Sequence, residues 1–489
     1  MAFEDPKQNL LVLEKYANKN TKQFTLEDAA SVTGMPVIET EAAIQDMMEK
    51  YDCKLKVTEN GDLIYDFGTA LERRNEKAFS EYFWEFMQVL WKGFQVAYKL
   101  LTSLFLIIYF VVFFVLLIGA ALAAMSGNDG DNDRGGGIGN LIGVLFRVFL
   151  SIFEWNTIMG YNSRYYRYDP YGYNYQHYKE RPRIIKGNKP KDPRDEKNFV
   201  SSIYDFIFGP PRVELDPLAN NQEVATFLRE QKGVVTTSEI QALAGWRREE
   251  AENFMTECIT MFDGDPAVTE NGTLYGDFSQ LIRAKDRTGE EPVVWYWDEY
   301  EPEYELTGNS SGRNVIIGGL NAFNLILSGG ILLGGWFAAF MANLGFWGTF
   351  FLGAFPFAYS TLFFLIPLVR WFRQRPLKQQ QREMNIRKRL MKVVFQSYDM
   401  GEKHVHEIPL DKLTEVANQQ RKTEEQLDEK TVDRVMKDTL QDLGGEAYLN
   451  DNNEIIYRFE LIAMELDDID EVRNNKRDDD DLGKIVFEA

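Results

Sequence analysis

Apolar residues along this chain are clustered rather than spread. Residues 100–125, LLTSLFLIIYFVVFFVLLIGAALAAM, carry no charged side chain, and the 56 consecutive residues 314–369 contain no Asp, Glu, Lys, Arg or His. A helix takes about 20 apolar residues to cross a bilayer. The first run therefore predicts one crossing, and the second predicts a transmembrane hairpin, 314–370, of two crossings and a short turn. A third apolar segment, 138–158, places Asn140, Arg147, Ser151 and Glu154 along one helical stripe. It fits either a second crossing whose polar stripe faces another helix or an interfacial helix lying flat. Lys and Arg accumulate on the cytoplasmic side of membrane segments. Residues 160–197, the stretch after Arg370, and Lys92 and Lys99 are all basic flanks. An even number of crossings before residue 160 puts every one of them inside, which favours the crossing.

Outside the spans the pattern repeats. Val57-Thr58-Glu59-Asn60-Gly61-Asp62-Leu63-Ile64-Tyr65-Asp66-Phe67 recurs as Val268-Thr269-Glu270-Asn271-Gly272-Thr273-Leu274-Tyr275-Gly276-Asp277-Phe278, and more weakly at 449–459. Asn-Gly between two apolar runs signals a two-residue β-hairpin with a type I′ turn. Ahead of the first hairpin the spacing predicts helices at 8–18, 26–33 and 38–50, with Gly34 as a turn. Ahead of the second it predicts 221–231, a helix capped by Thr236-Thr237-Ser238 and running through Ala244, the Gly245 turn, and 247–261. The third copy predicts helices at 381–399, 409–420 and 424–442. Three helices followed by a hairpin are the layout of a winged helix. The fold class is thus mixed: α-helical transmembrane segments plus three small α+β winged-helix-like modules.

The expected organisation is a first module at 1–80, a membrane region at 95–158, and a linker rich in Tyr and basic residues at 159–197. A second module follows at 198–290, led by an amphipathic helix with Phe199, Ile203, Phe206 and Ile207 on one face. Then come an acidic extended segment at 291–313, the hairpin 314–370, a helical module holding the third copy at 371–462, and an acidic tail at 463–489 expected to be disordered. Pro356 and Pro367 are expected to kink the last span.

Composition changes one conclusion. The 489 residues hold 54 Lys+Arg against 75 Asp+Glu, a net charge of −21. The third helices of the modules are strongly acidic, and 199–313 holds 9 Lys+Arg against 22 Asp+Glu. Duplex binding depends on cations that neutralise phosphates, so this charge argues against nucleic acid and for protein partners. Arg247 and Arg248, which open the third helix of the second module, and Glu299, Glu301, Glu303 and Glu305 in the extended segment are the candidate interaction residues.

The chemical motifs of common enzymes are missing from the sequence: no Walker motif, no G-x-G-x-x-G after a strand, no H-E-x-x-H, no G-x-S-x-G. Cys53 and Cys258 lack neighbouring cysteines, and His404 and His406 lack a third ligand in local spacing, so no metal or other cofactor is expected. Within the spans, Asn321, Asn324 and Arg147 are the polar candidates for contacts between helices. Gly330 and Gly334 form a small-residue face that would let a second copy pack closely. The N-terminus MAFEDPKQNL predicts neither a cleavable signal peptide nor a plastid transit peptide. The string Ile485-Val486-Phe487 has the character of a linear docking motif.

NFVSSIYDFIFG (198–209), GVVTTSEI (233–240), the hairpin 268–278 and IPLVRWF (366–372) together resemble a family of uncharacterised membrane proteins of cyanobacteria and plant plastids. The resemblance covers roughly residues 8–395. It implies three spans rather than four, and some members carry an iron–sulfur cluster biosynthesis label that neither cysteine here supports. The expectation is a non-enzymatic integral membrane scaffold or recruitment protein in a bacterial inner membrane, or a thylakoid membrane in a cyanobacterium, with cytoplasmic modules that bind proteins. The alternatives are a membrane-tethered transcription regulator, a small-solute transporter and an accessory factor in iron–sulfur cluster biogenesis.

Overall fold

The computed structural model describes residues 6–19, 22–74, 79–126, 198–210, 218–283, 290, 293–298, 304–399, 407–420, 426–476 and 482–488. The segment 138–158 with Arg147, the linker 159–197, Glu299, Glu301, Glu303 and the three histidines lie outside the described residues. The chain is mostly helical with small sheets.

In chain order the elements begin with α1 (Pro6–Lys19), β1 (Gln23–Phe24), α2 (Leu26–Thr33), α3 (Val37–Lys50), β2 (Lys54–Thr58) and β3 (Leu63–Asp66). Next come α4 (Phe79–Ser126), α5 (Phe199–Phe208), α6 (Ala219–Glu230), β4 (Val234–Thr236), α7 (Thr237–Ala244), α8 (Arg248–Met261), β5 (Asp265–Val268) and β6 (Leu274–Asp277). They continue with α9 (Ser311–Gly334), α10 (Ala338–Thr349), a π-helical turn (Phe350–Ala354) and α11 (Phe355–Asp399). The last are β7 (Glu407–Pro409), α12 (Leu410–Gln420), α13 (Glu429–Leu443), β8 (Glu446–Leu449), β9 (Ile455–Arg458), α14 (Glu460–Asn475) and β10 (Ile485–Glu488). Two compact units divide these elements: Met1–Lys77 with Glu214–Glu301 and Gln381–Ala489, and Ala78–Val213 with Pro302–Gln380.

The first unit holds three antiparallel sheets whose strand orders are β1-β3-β2-β10, β4-β6-β5 and β7-β9-β8. In each, a hairpin supplies two strands and a short strand from before the second helix pairs with the returning one. Local chemistry explains why the first two groups look alike. Thr25 and Thr236 each cap a helix in a capping box closed by Asp28 and Glu239, and Gly34 and Gly245 end those helices in the left-handed region at φ 70° and 69°. In the third group Pro409 precedes α12 and the third helical residue is Lys412, so the box is absent. Buried apolar side chains, among them Leu13, Phe24 and Ile44, then Phe227, Met255 and Phe278, hold the first two groups together. Trp295 stacks on Trp297, which stacks on Phe395, and so joins the apolar interiors of the second and third groups.

The hairpins are present where the sequence predicts them, but their turns are not type I′. Gly61, Gly272 and Asn453 carry the positive φ (90°, 94° and 67°), whereas Asn60, Asn271 and Asn452 are not among the positive-φ residues. The amide of Gly61 donates to Thr58 O and that of Thr58 to Asp62 O, with the same pairs at Gly272/Thr269/Thr273 and Asn453/Asn450/Glu454. These are three-residue loops with a single left-handed position, which suits Gly or Asn.

Among the described residues, three helices are long and apolar enough to cross a membrane: α4 over Phe86–Leu122, α9 over Ser311–Gly334, and Ala338–Ser397. The returning arm of the hairpin is not one helix. Gly345 breaks α10 at φ 62°, ψ −150°, and the π turn follows. Pro356 is the second residue of α11, directly after the π turn, while Pro367 and Pro376 lie inside the helix. The amphipathic α5 buries Phe199, Ile203 and Ile207 against Leu106, Phe110, Ile317, Leu320 and Phe363.

Candidate interaction surfaces

The acidic tail is not disordered over 463–475, contrary to expectation. Its first part is α14, which buries Ile462, Ala463 and Ile469. Ile462, Leu466 and Ile469 recur at i, i+4 and i+7, a helical signal that the density of acid obscured. The polar side of α14 is held by named partners on the second sheet group. Glu465 accepts from the amide and the hydroxyl of Ser238 at 3.0 and 2.6 Å and pairs with Arg248. Asp468 accepts from Thr269 (2.9 Å), Asn271 (2.7 Å) and Thr273 on the second hairpin. Burial works against the Asp468 charge, but the donors from Thr273, Asn271 and Thr269 outweigh it and hold its carboxyl below the ordinary 3.8. Arg473 bridges Glu239 at 2.7 Å and Val234 O at 3.0 Å, and Lys476 reaches Asp277 at 2.7 Å.

The capping-box acids therefore have a second partner each. Asp28 binds Arg229 Nη2 at 3.0 Å, and Arg229 also reaches Glu290 at 2.8 Å and Leu281 O at 2.8 Å. The Asp28 and Arg229 side chains are fully buried. Glu239 pairs with Arg473 in the same manner; desolvation raises its pKa, and Arg473 opposes the rise.

At the end of the chain, Ile485–Glu488 adds a strand to the first sheet. It runs antiparallel to β2 with Ile485 beside Thr58, Phe487 beside Val57 and Glu488 beside Lys56, across a register shift. The tail segment expected to be disordered thus ends in a paired strand, and the apolar string with docking character is docked on this chain itself. Elsewhere in the first unit, Asn271, Glu446, Arg458, Leu461, Met464 and Glu471 line part of an open groove of about 730 Å³.

The sequence-predicted candidates fall into different places. Arg248 is engaged by Glu465 and by Glu252 at 3.0 Å. Arg247, still largely exposed, meets Asp442 at 3.2 Å, which also binds Arg387. Both arginines therefore hold parts of the first unit together. Glu305 belongs to the second unit, where its backbone oxygen accepts from Gln374. Asn321 and Asn324, fully buried, donate to Ser360 O at 2.9 Å and Leu106 O at 3.0 Å, so they do link helices. Tyr359 adds a bond to Thr102 O at 2.7 Å, and Arg370 donates to the α5 carbonyls of Ile207 and Phe206 at 2.8 and 3.0 Å. The Gly330 and Gly334 face is occupied by Trp336 of the same chain, so close that a Cβ at Gly330 would collide with the indole.

Cys258 is buried in the second core, where burial pushes its thiol up, and Cys53 is half-buried, its thiol pushed up to about 11 by burial. No group of three His, Cys, Asp or Glu that could hold a metal occurs among the described residues.

No known family profile matches the chain, and no solved structure matches it. It is similar to an uncharacterized chloroplastic protein of Arabidopsis thaliana, 25% identical over 196 residues. The match covers 36% of this chain and 36% of that protein, so the chain spans about a third of the relative's length.

Proposed function

We propose that this chain is an integral membrane scaffold whose three sheet-bearing groups are winged-helix-like modules that recruit protein partners rather than catalyse a reaction. One observation carries the reading. The hairpins share an apolar cross-strand pair near their tips, Val57–Leu63, Val268–Leu274 and Leu449–Ile455. Val268, Leu274 and Leu449 are 62%, 47% and 61% exposed. The first of these hairpins already carries an added strand on its outer edge. Edge strands with apolar side chains are templates for pairing with another chain. The shared strand order and the left-handed glycines after α2 and α7 favour the winged-helix-like assignment. The acidic charge favours proteins over nucleic acid. Basic flanks favour modules on the cytoplasmic side or its organellar equivalent, and the chloroplastic relative favours a membrane of a photosynthetic lineage.

The test is affinity capture from native membranes with the full-length chain and with a Val268→Asp/Leu449→Asp variant. Recruitment predicts partners that the variant loses. Equal capture by both forms, or salt-sensitive retention of duplex DNA in a gel shift, contradicts it.

A further inference from the structure

We infer that the β2 edge is a binding site for an extended segment of a separate protein, apolar over three residues and then acidic, and that Ile485–Glu488 occupies the site as an internal mimic. The inference rests on the recruitment reading and specifies the chemistry of one partner.

The strand is held through its main chain. Ile485, Val486 and Phe487 remain 46%, 60% and 59% exposed, so their side chains bury little. The main chain supplies the pairing: the register aligns Ile485, Phe487 and Glu488 with Thr58, Val57 and Lys56, and the Glu59 amide donates to Lys484 O at 2.8 Å. Strand addition of this kind draws affinity from the backbone and selectivity from side chains.

Two features supply selectivity. Phe487 pairs with Val57, which pairs with Leu63, and paired residues share a face, so an aromatic or aliphatic residue there extends an apolar row. The Glu488 carboxylate lies 3.8 Å from Lys54 Nζ and 4.0 Å from Lys56 Nζ. Lys54 is opposite Asp66, the last residue of its return strand; the same position is Asp265 on β5 and Glu446 on β8. An acidic peptide end meets a lysine at this position of β2 and a carboxylate at the same position of the other two edges.

Because it belongs to the same chain, the internal strand competes at an effective concentration on the order of 1 mM, and the apparent affinity of a competitor falls with the fraction of free sites. A partner thus gains access by outcompeting the mimic, or when the mimic is drawn away.

The experiment measures fluorescence anisotropy of a labelled peptide, LGKIVFEA (residues 482–489), with the full-length chain in nanodiscs and with a chain ending at Lys484. The shortened chain is expected to bind at least about tenfold more tightly. Lys54→Glu in that background should weaken binding by about threefold, the scale of an exposed ion pair. A full-length Glu488→Lys variant, which loses no residue, should also bind the peptide more tightly than the unaltered chain. Equal binding by the shortened, Glu488→Lys and unaltered chains overturns the inference. Concentration-dependent dimers of the full-length chain that vanish on ending it at Lys484 also overturn it, because the occupant is then a second copy. Capture through Val268 and Leu449 is read separately, so recruitment and this edge site can each fail alone.

Discussion

The two units bury polar groups by different means. In the sheet-bearing unit the buried polar groups include full charges in matched sets: Asp28 with Arg229 and Glu290, Glu239 with Arg473, Glu465 with Arg248. In the unit with the spans, the buried Asn321 and Asn324 and the half-buried Tyr359 donate to backbone carbonyls of neighbouring helices. The difference follows from the solvent of the unfolded alternative. A charge set surrounded by water-exposed modules is costly to desolvate and is strongly destabilising when one member is lost. For helices that cross a membrane, an amide only competes with other partners available there, so its contribution is small.

That contrast can be broken by substitution. Arg229→Leu leaves Asp28 buried without its cation and should destabilise the sheet-bearing unit by about 3–5 kcal/mol, read as a lowered denaturant midpoint of the purified full-length chain. A loss below about 1 kcal/mol would mean that the set is not the buried keystone its geometry implies. Glu465→Gln weakens charge-assisted bonds to Ser238 and Arg248 and should cost about 2 kcal/mol. Its signature is faster amide exchange in Glu460–Asn475 with little change in α1–α3.

A smaller effect comes from acid. The Asp468 carboxyl in the folded chain ionises below its ordinary value of 3.8. Its contribution is therefore present above about pH 4 and is lost as pH falls through the folded-state value. The protection of the α14 amides, corrected for the intrinsic pH dependence of exchange, should fall below about pH 4, and Asp468→Asn should flatten that dependence. Smallest of all, Asn324→Leu should change stability by about 0.6 kcal/mol and by no more than about 1.7, measured by unfolding in detergent or bicelles. A loss of 3 kcal/mol there would erase the distinction between the units.

How far the sequence predicts this molecule depends on the range of the interaction. Local signals carried well: the turn glycines Gly34 and Gly245, the Thr236 cap and the three hairpins all lie where spacing placed them. The turn type did not, because Asn-Gly serves both a two-residue loop and a three-residue loop with one left-handed residue. α14 was hidden by its own charge, since Asp467, Asp468, Asp470 and Glu471 read as a solvated tail until Asp468 meets its partners on the second hairpin. The pairing of Asp28 with Arg229 spans 201 residues of sequence, and no periodicity announces it. Arg247 and Arg248 looked available because Asp442 and Glu465 lie nearly two hundred residues or more away. Asn321 and Asn324 were legible because uncharged spans make any amide stand out.

In the proposed function the hairpin edges of the sheet-bearing unit receive other proteins. Its most direct test is a photo-crosslinking amino acid placed at Val268 or Leu449 of the full-length chain in native membranes, with the exposed Lys412 on α12 as the control position. Recruitment at these edges gives discrete adducts with another polypeptide from Val268 and Leu449 and none from Lys412. Identical patterns from all three positions, or no polypeptide adduct from either hairpin, would contradict it.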